Sequence, residues 1–136
     1  MHLLTITILS TGDLVGQEIV KCDVNVLGHT SDKLEKLTKE DVKNFLLTFD
    51  QSCGTAIEFS EWSNELLFDV LQKHPELMLR TLETEGTKIK KDAILRELSS
   101  QLLDKVNVNG LIKKVEQVNI NGLLKKEVID NLKKNR

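Results

Sequence analysis

One polar stripe constrains this chain more than any other feature. Glu65, Asp69, Gln72, Glu76, Arg80 and Glu83 follow one another at steps of 4, 3, 4, 4 and 3 residues. That spacing is the α-helical period, about 3.6 residues per turn. The positions between them hold Trp62, Leu66, Leu67, Phe68, Val70, Leu71, Leu77, Met78, Leu79 and Leu82. A helix with so narrow a polar stripe is buried nearly all round, so this stretch predicts the centre of a mainly α fold. Pro75 interrupts it, because proline cannot donate its backbone hydrogen bond and disfavours helical geometry at His74. Either the helix kinks there, or a second helix begins with Pro75 in its first turn.

The rest of the helical body reads outward from this centre. Thr38 followed by Asp41 predicts a capped helix start, and Val42, Phe45, Leu46 and Phe49 form one apolar stripe behind it. Residues 50–55 have loop chemistry, and Ser60 is the expected cap of the central helix. A further helix over about 88–105 is expected to bury Ile94, Leu98, Leu102 and Val106, with Ser99 and Ser100 weakening its middle. All the aromatic residues (Phe45, Phe49, Phe59, Trp62 and Phe68) lie in one window, which should hold the middle of the core.

Residues 106–114 (VNVNGLIKK) and 118–126 (VNINGLLKK) form an internal repeat, identical at seven of nine positions. A spacing of twelve is too short for a leucine-rich repeat, which needs about 20–29 residues. It suits a short connector and two helical turns. Asn109 and Asn121 are the expected caps, with Leu111/Val115 and Leu124/Val128 as apolar anchors. Lysine-rich runs of good helix formers favour helices over an Asn-Gly hairpin. Stacked short helices of this kind resemble a miniature α-solenoid, although two copies fall below the usual minimum.

The first thirty residues read differently. Leu4, Ile6 and Ile8 alternate with threonines, and Val20, Cys22, Val24 and Val26 share one face of a second alternating run. This predicts a β-hairpin or extended arm over 1–30, followed by a helical domain over 31–136. An export-signal remnant is the alternative reading. Its apolar run, Leu3 to Leu9, is short, no Lys or Arg precedes it, and no convincing cleavage site follows. Cytoplasmic residence is therefore the default expectation. Cys22 and Cys53 are too few for a disulfide scaffold and too far apart for a CxxC motif, and Cys53 is expected to be an inert thiol. Export would place both cysteines where they could pair.

Charge is split along the chain. Up to Gly86 the net charge is −8, and after it +6. Aromatic platforms and basic residues fall in different halves, which argues against nucleic-acid binding. No apolar run approaches the ~20 residues that span a bilayer. No nucleophile elbow, P-loop, dinucleotide glycine motif or zinc cluster is present, and His2, His29 and His74 are isolated in sequence. A catalytic centre is not expected.

Two candidate sites remain. Residues 50–61 (DQSCGTAIEFSE) lie between amphipathic segments, with Asp50, Ser52, Glu58 and Glu61 at the first, third, ninth and twelfth positions. The run resembles a degenerate EF-hand loop, which would imply a Ca²⁺ site. Gly54 and Thr55 stand where that pattern has an oxygen ligand and its glycine. The other candidate is the set Lys113, Lys114, Lys125 and Lys126, expected to form an exposed basic strip. The leading expectation is a non-enzymatic helical domain without a cofactor. It would bind a protein partner, an acidic one being favoured by the strip; cation binding at 50–61 is the alternative.

Overall fold

The computed structural model describes residues 20–135 of the 136-residue chain. Among them run seven α-helices: α1 (Val24–Asp32), α2 (Lys39–Leu47), α3 (Ile57–Lys73), α4 (Pro75–Thr84), α5 (Lys91–Leu98), α6 (Val108–Glu116) and α7 (Gly122–Lys133). The mainly α expectation holds. Of the arm expected over 1–30, residues 1–19 lie outside the described residues. Its last part, residues 24–30, is helical and belongs to α1, so the helical body begins before residue 31: Asp23 caps α1 by accepting from the Asn25 backbone N–H, and Val26 and Leu27 are buried. Alternation over so few residues cannot tell a strand from the start of a helix whose buried pair is adjacent.

α3 is the hub. It packs against α1, α4, α5 and α6. A solenoid unit would touch only its sequence neighbours, so the arrangement is a bundle around one buried helix. Pro75 resolves the ambiguity in favour of two helices: α3 ends at Lys73, and Pro75 opens α4. His74 sits at the junction, and its Nε2 lies 2.7 Å from the Leu34 carbonyl oxygen, a structural contact. Phe45, Phe59, Phe68, Leu67, Leu71, Met78 and Leu79 are fully buried. Phe49 meets Phe45 and Phe59 edge-to-face at 5.2 and 6.0 Å, joining α2 to α3. Trp62 is only half-buried, at the edge where α1 crosses α3.

Helix boundaries differ from expectation where local chemistry competes with periodicity. α3 begins at Ile57 behind Ala56, four residues earlier than a Ser60 cap implies, and residues Gln51–Thr55 are a 3₁₀ turn. α5 is shorter than expected and ends at Leu98, so Leu102 stands half exposed while Ile94, Leu98 and Val106 are buried. The loop after α5 is held by amide side chains. Asn64 Nδ2 donates to the Ser100 carbonyl (3.0 Å) and its Oδ1 accepts from the Leu102 N–H (2.8 Å). Asn135 accepts from Gln101 N–H (2.6 Å) and donates to the Leu98 carbonyl (2.7 Å). These bonds satisfy backbone groups that a continued helix would have paired.

The α1–α2 corner is tied in two further ways. Asp41 completes a capping box with Thr38, and its carboxylate also lies 3.1 Å from His29 Nε2 and 3.3 Å from Lys33 Nζ. Burial alone would raise the Asp41 pKa; the Thr38 backbone, His29, the Thr38 hydroxyl and Lys33 outweigh it and hold the carboxyl below its ordinary value. Cys22 and Cys53 form a disulfide, with Cα atoms 5.4 Å apart and 31 residues of separation. The expectation of an inert Cys53 thiol is thereby corrected. Closing a loop of this size removes ~3–4 kcal/mol of chain entropy from the unfolded state. Sequence spacing could not reveal the pair, because helix packing is what brings the two residues together.

Candidate interaction surface

The repeat forms the last helix pair, α6 against α7. Each helix starts at an asparagine, but at a different one. In the first copy Asn107, and not Asn109, is the cap, accepting from the Gly110 N–H at 3.0 Å. In the second copy Asn121 caps as expected, accepting from Leu123 N–H at 2.8 Å. Asn121's own backbone N–H donates to Glu83 on α4 at 2.8 Å, which fixes the second start in place. Leu111, Val115, Leu124 and Val128 are all buried, as expected of the anchors.

Turning these anchors inward turns the lysines outward. Lys113, Lys114 and Lys126 are exposed and Lys125 is half-buried. An ammonium is costly to bury without a partner, so outward placement is what the apolar stripe dictates. Lys125 Nζ donates to the carbonyl of Glu116 at 3.1 Å, at the end of α6 that also carries Lys113 and Lys114. Lys114 Nζ donates to the Gln72 carbonyl at 3.0 Å. These partners are neutral carbonyls, so the hydrogen bonds orient the ammonium groups without cancelling their charge. They also sit at helix ends, where unpaired carbonyls and the macrodipole favour cations. Lys126 differs, pairing with Asp130 one turn on at 2.6 Å. That bond, more than its charge, raises the Lys126 pKa and lowers that of Asp130.

The segment 50–61 is not one continuous loop. Asp50 caps the 3₁₀ turn, accepting from the Ser52 N–H (3.1 Å) and hydroxyl (2.8 Å), which hold its pKa below the ordinary value. Lys21 and Lys90 each stand 3.9 Å from its carboxylate. The structure thus brings Asp50 and Ser52 together, while Glu58 and Glu61 project, exposed, from the start of α3. Among the described residues no group of three or more His, Cys, Asp or Glu side chains is placed to hold a metal ion. Among the same residues no helix is long and apolar enough to cross a membrane.

The residues that sequence reasoning missed are the amide clamps Asn64 and Asn135, and the His29–Lys33–Asp41 cluster. Each joins groups distant in the chain, and only the Ser99-Ser100 interruption hinted at the clamped loop. No protein-family profile, curated protein or solved structure matches this chain.

Proposed function

We propose that this chain is a small non-enzymatic helical domain that binds an acidic protein partner through Lys113, Lys114, Lys125 and Lys126. The observation that carries this reading is the gathering of Lys113, Lys114 and Lys125 at one end of α6, where Lys114 and Lys125 bond to carbonyls and keep their charge. Side chains already oriented lose less freedom on binding, and a group of like charges steers an acidic surface toward it. Binding of this kind weakens as salt screens it. The Cys22–Cys53 bridge supports an exported protein over the cytoplasmic default, because such bridges persist in oxidising surroundings.

The test is capture of partners from the native cell on immobilised full-length chain, with wild type compared against a variant carrying Lys→Gln at all four positions. An acid-rich protein retained at low salt, released as salt rises and absent from the variant is the expected result. Retention of the same proteins by the variant would refute the assignment.

A further inference from the structure

We propose that the Cys22–Cys53 bridge is a redox-sensitive clasp that holds one corner of the molecule shut. The bridge joins Cys22, the residue before the Asp23 cap of α1, to the 3₁₀ turn that leads into α3. Two weaker contacts accompany it. The Cys22 N–H donates to the Thr48 carbonyl at 2.7 Å, and Lys21 faces Asp50 at 3.9 Å. Cys22 itself has φ +59°, the left-handed conformation that residues with a Cβ rarely adopt, so its backbone is strained in the closed form. The bridge therefore maintains a geometry that the chain would relax once the sulfurs part.

What lies behind the clasp gives its opening a consequence. Cys53 is buried beside Phe49 and Phe59 and lines a cavity of about 130 Å³ with Ala93, Arg96 and Glu97. The α1 helix, starting two residues after Cys22, passes Trp62 closely: a Cβ placed on Gly28 would lie 3.8 Å from the indole. Release of Cys22 loosens α1 from Trp62 and uncovers the aromatic pair. The α6–α7 pair is tied to the body through other contacts (Asn121 to Glu83, and Lys91 to Glu127) and stays in place.

The chemistry is thiol–disulfide exchange with a dithiol. Cys22 is the more exposed partner, so the attacking thiolate forms a bond to its Sγ and the Cys53 thiolate leaves. The second thiolate of the reductant then closes its own disulfide and releases the Cys22 thiolate. Two electrons and two protons pass to the chain, and the reductant departs oxidised. The chain contains only these two cysteines, so no third thiol of its own can reshuffle the bridge.

Hydrogen exchange on the air-oxidised full chain, before and after dithiothreitol, tests this. Thiol titration should find no free thiol before reduction. After it, amides in residues 20–32 and 50–56 should exchange about tenfold faster or more, while α6 and α7 keep their protection. Trp62, the one indole in the chain, should become more accessible to acrylamide. The Cys22→Ser/Cys53→Ser double variant should show the reduced pattern with or without dithiol. Free thiols after air oxidation, unchanged exchange on reduction, or loss of protection throughout the molecule would each overturn the clasp.

Discussion

The two copies of the repeat share seven of nine residues and both form helices, yet they turn different faces to the core. Val106 and Val118 are both buried, as are Ile112 and Leu124. Leu111 and Leu123 occupy equivalent positions, yet Leu111 is 1% exposed and Leu123 67%. The cause lies beyond the repeat. Four residues after Leu111 comes Val115, which continues its stripe; four residues after Leu123 comes Glu127, bound to Lys91 of α5. In the second copy the apolar partner is Val128, four residues after Leu124. The buried face is shifted by one position, about 100° around the helix. Near-identical local sequence therefore leaves the facing open, and the next turn of the helix together with its neighbours decides it.

The largest expected effect breaks this comparison if it fails. Leu111→Ala should destabilise by about 2–5 kcal/mol in chemical denaturation, the range for emptying a buried leucine site. Leu123→Ala should change stability by no more than about 0.5 kcal/mol. Equal costs would mean that both copies face the core in the same way.

The same contrast between inside and outside applies to charge. Asp41 is buried among its donors, whereas Asp130 is exposed beside Lys126. Asp41→Asn should cost about 1.5–3 kcal/mol at neutral pH, as expected for hydrogen bonds to a charged group. Because the folded pKa is lowered, this stabilisation is present above the unfolded value of ~3.9 and is lost as pH falls through the folded one. The gap between wild type and variant should accordingly close in acid. Asp130→Asn should have the same sign but a far smaller effect, because an exposed i,i+4 pair is worth little.

Smaller effects sharpen the register shift. Asn107→Ala and Asn121→Ala should each cost about 1 kcal/mol, the usual worth of a side-chain cap. Asn119→Ala should cost clearly less than either, although Asn119 is the repeat equivalent of Asn107. Smallest of all on stability should be the four Lys→Gln changes at 113, 114, 125 and 126, which should leave the helical signal and melting temperature near wild type. Unfolding of that variant would make the lysines structural and remove the proposed surface.

Periodic information is legible in the sequence. The stripe from Glu65 to Glu83 marks the hub, Thr38 and Asp41 mark the start of α2, and the anchors Leu111, Val115, Leu124 and Val128 can be read from spacing alone. What escapes is pairwise and non-local. Nothing near Cys22 names Cys53, and nothing near Asn64 names Ser100 or Leu102. Extending a helix past Ser99-Ser100 puts Leu102 in the core, but the amide clamps offer the backbone an alternative there. Of the site, the identity of the lysines and the exposure of Lys113, Lys114 and Lys126 are legible, whereas the half-burial of Lys125 and the carbonyl partners that orient Lys114 and Lys125 are not.

The lysine surface is tested most directly by amide chemical shifts of the isotopically labelled full chain, titrated with a short polyglutamate peptide. Shifts should concentrate on the end of α6 and the start of α7, fade with added salt, and vanish in the four-Gln variant. Shifts centred instead on Lys88, Lys90, Lys91 or Arg96, or persisting unchanged in the variant, would contradict the assignment of the partner surface to the repeat.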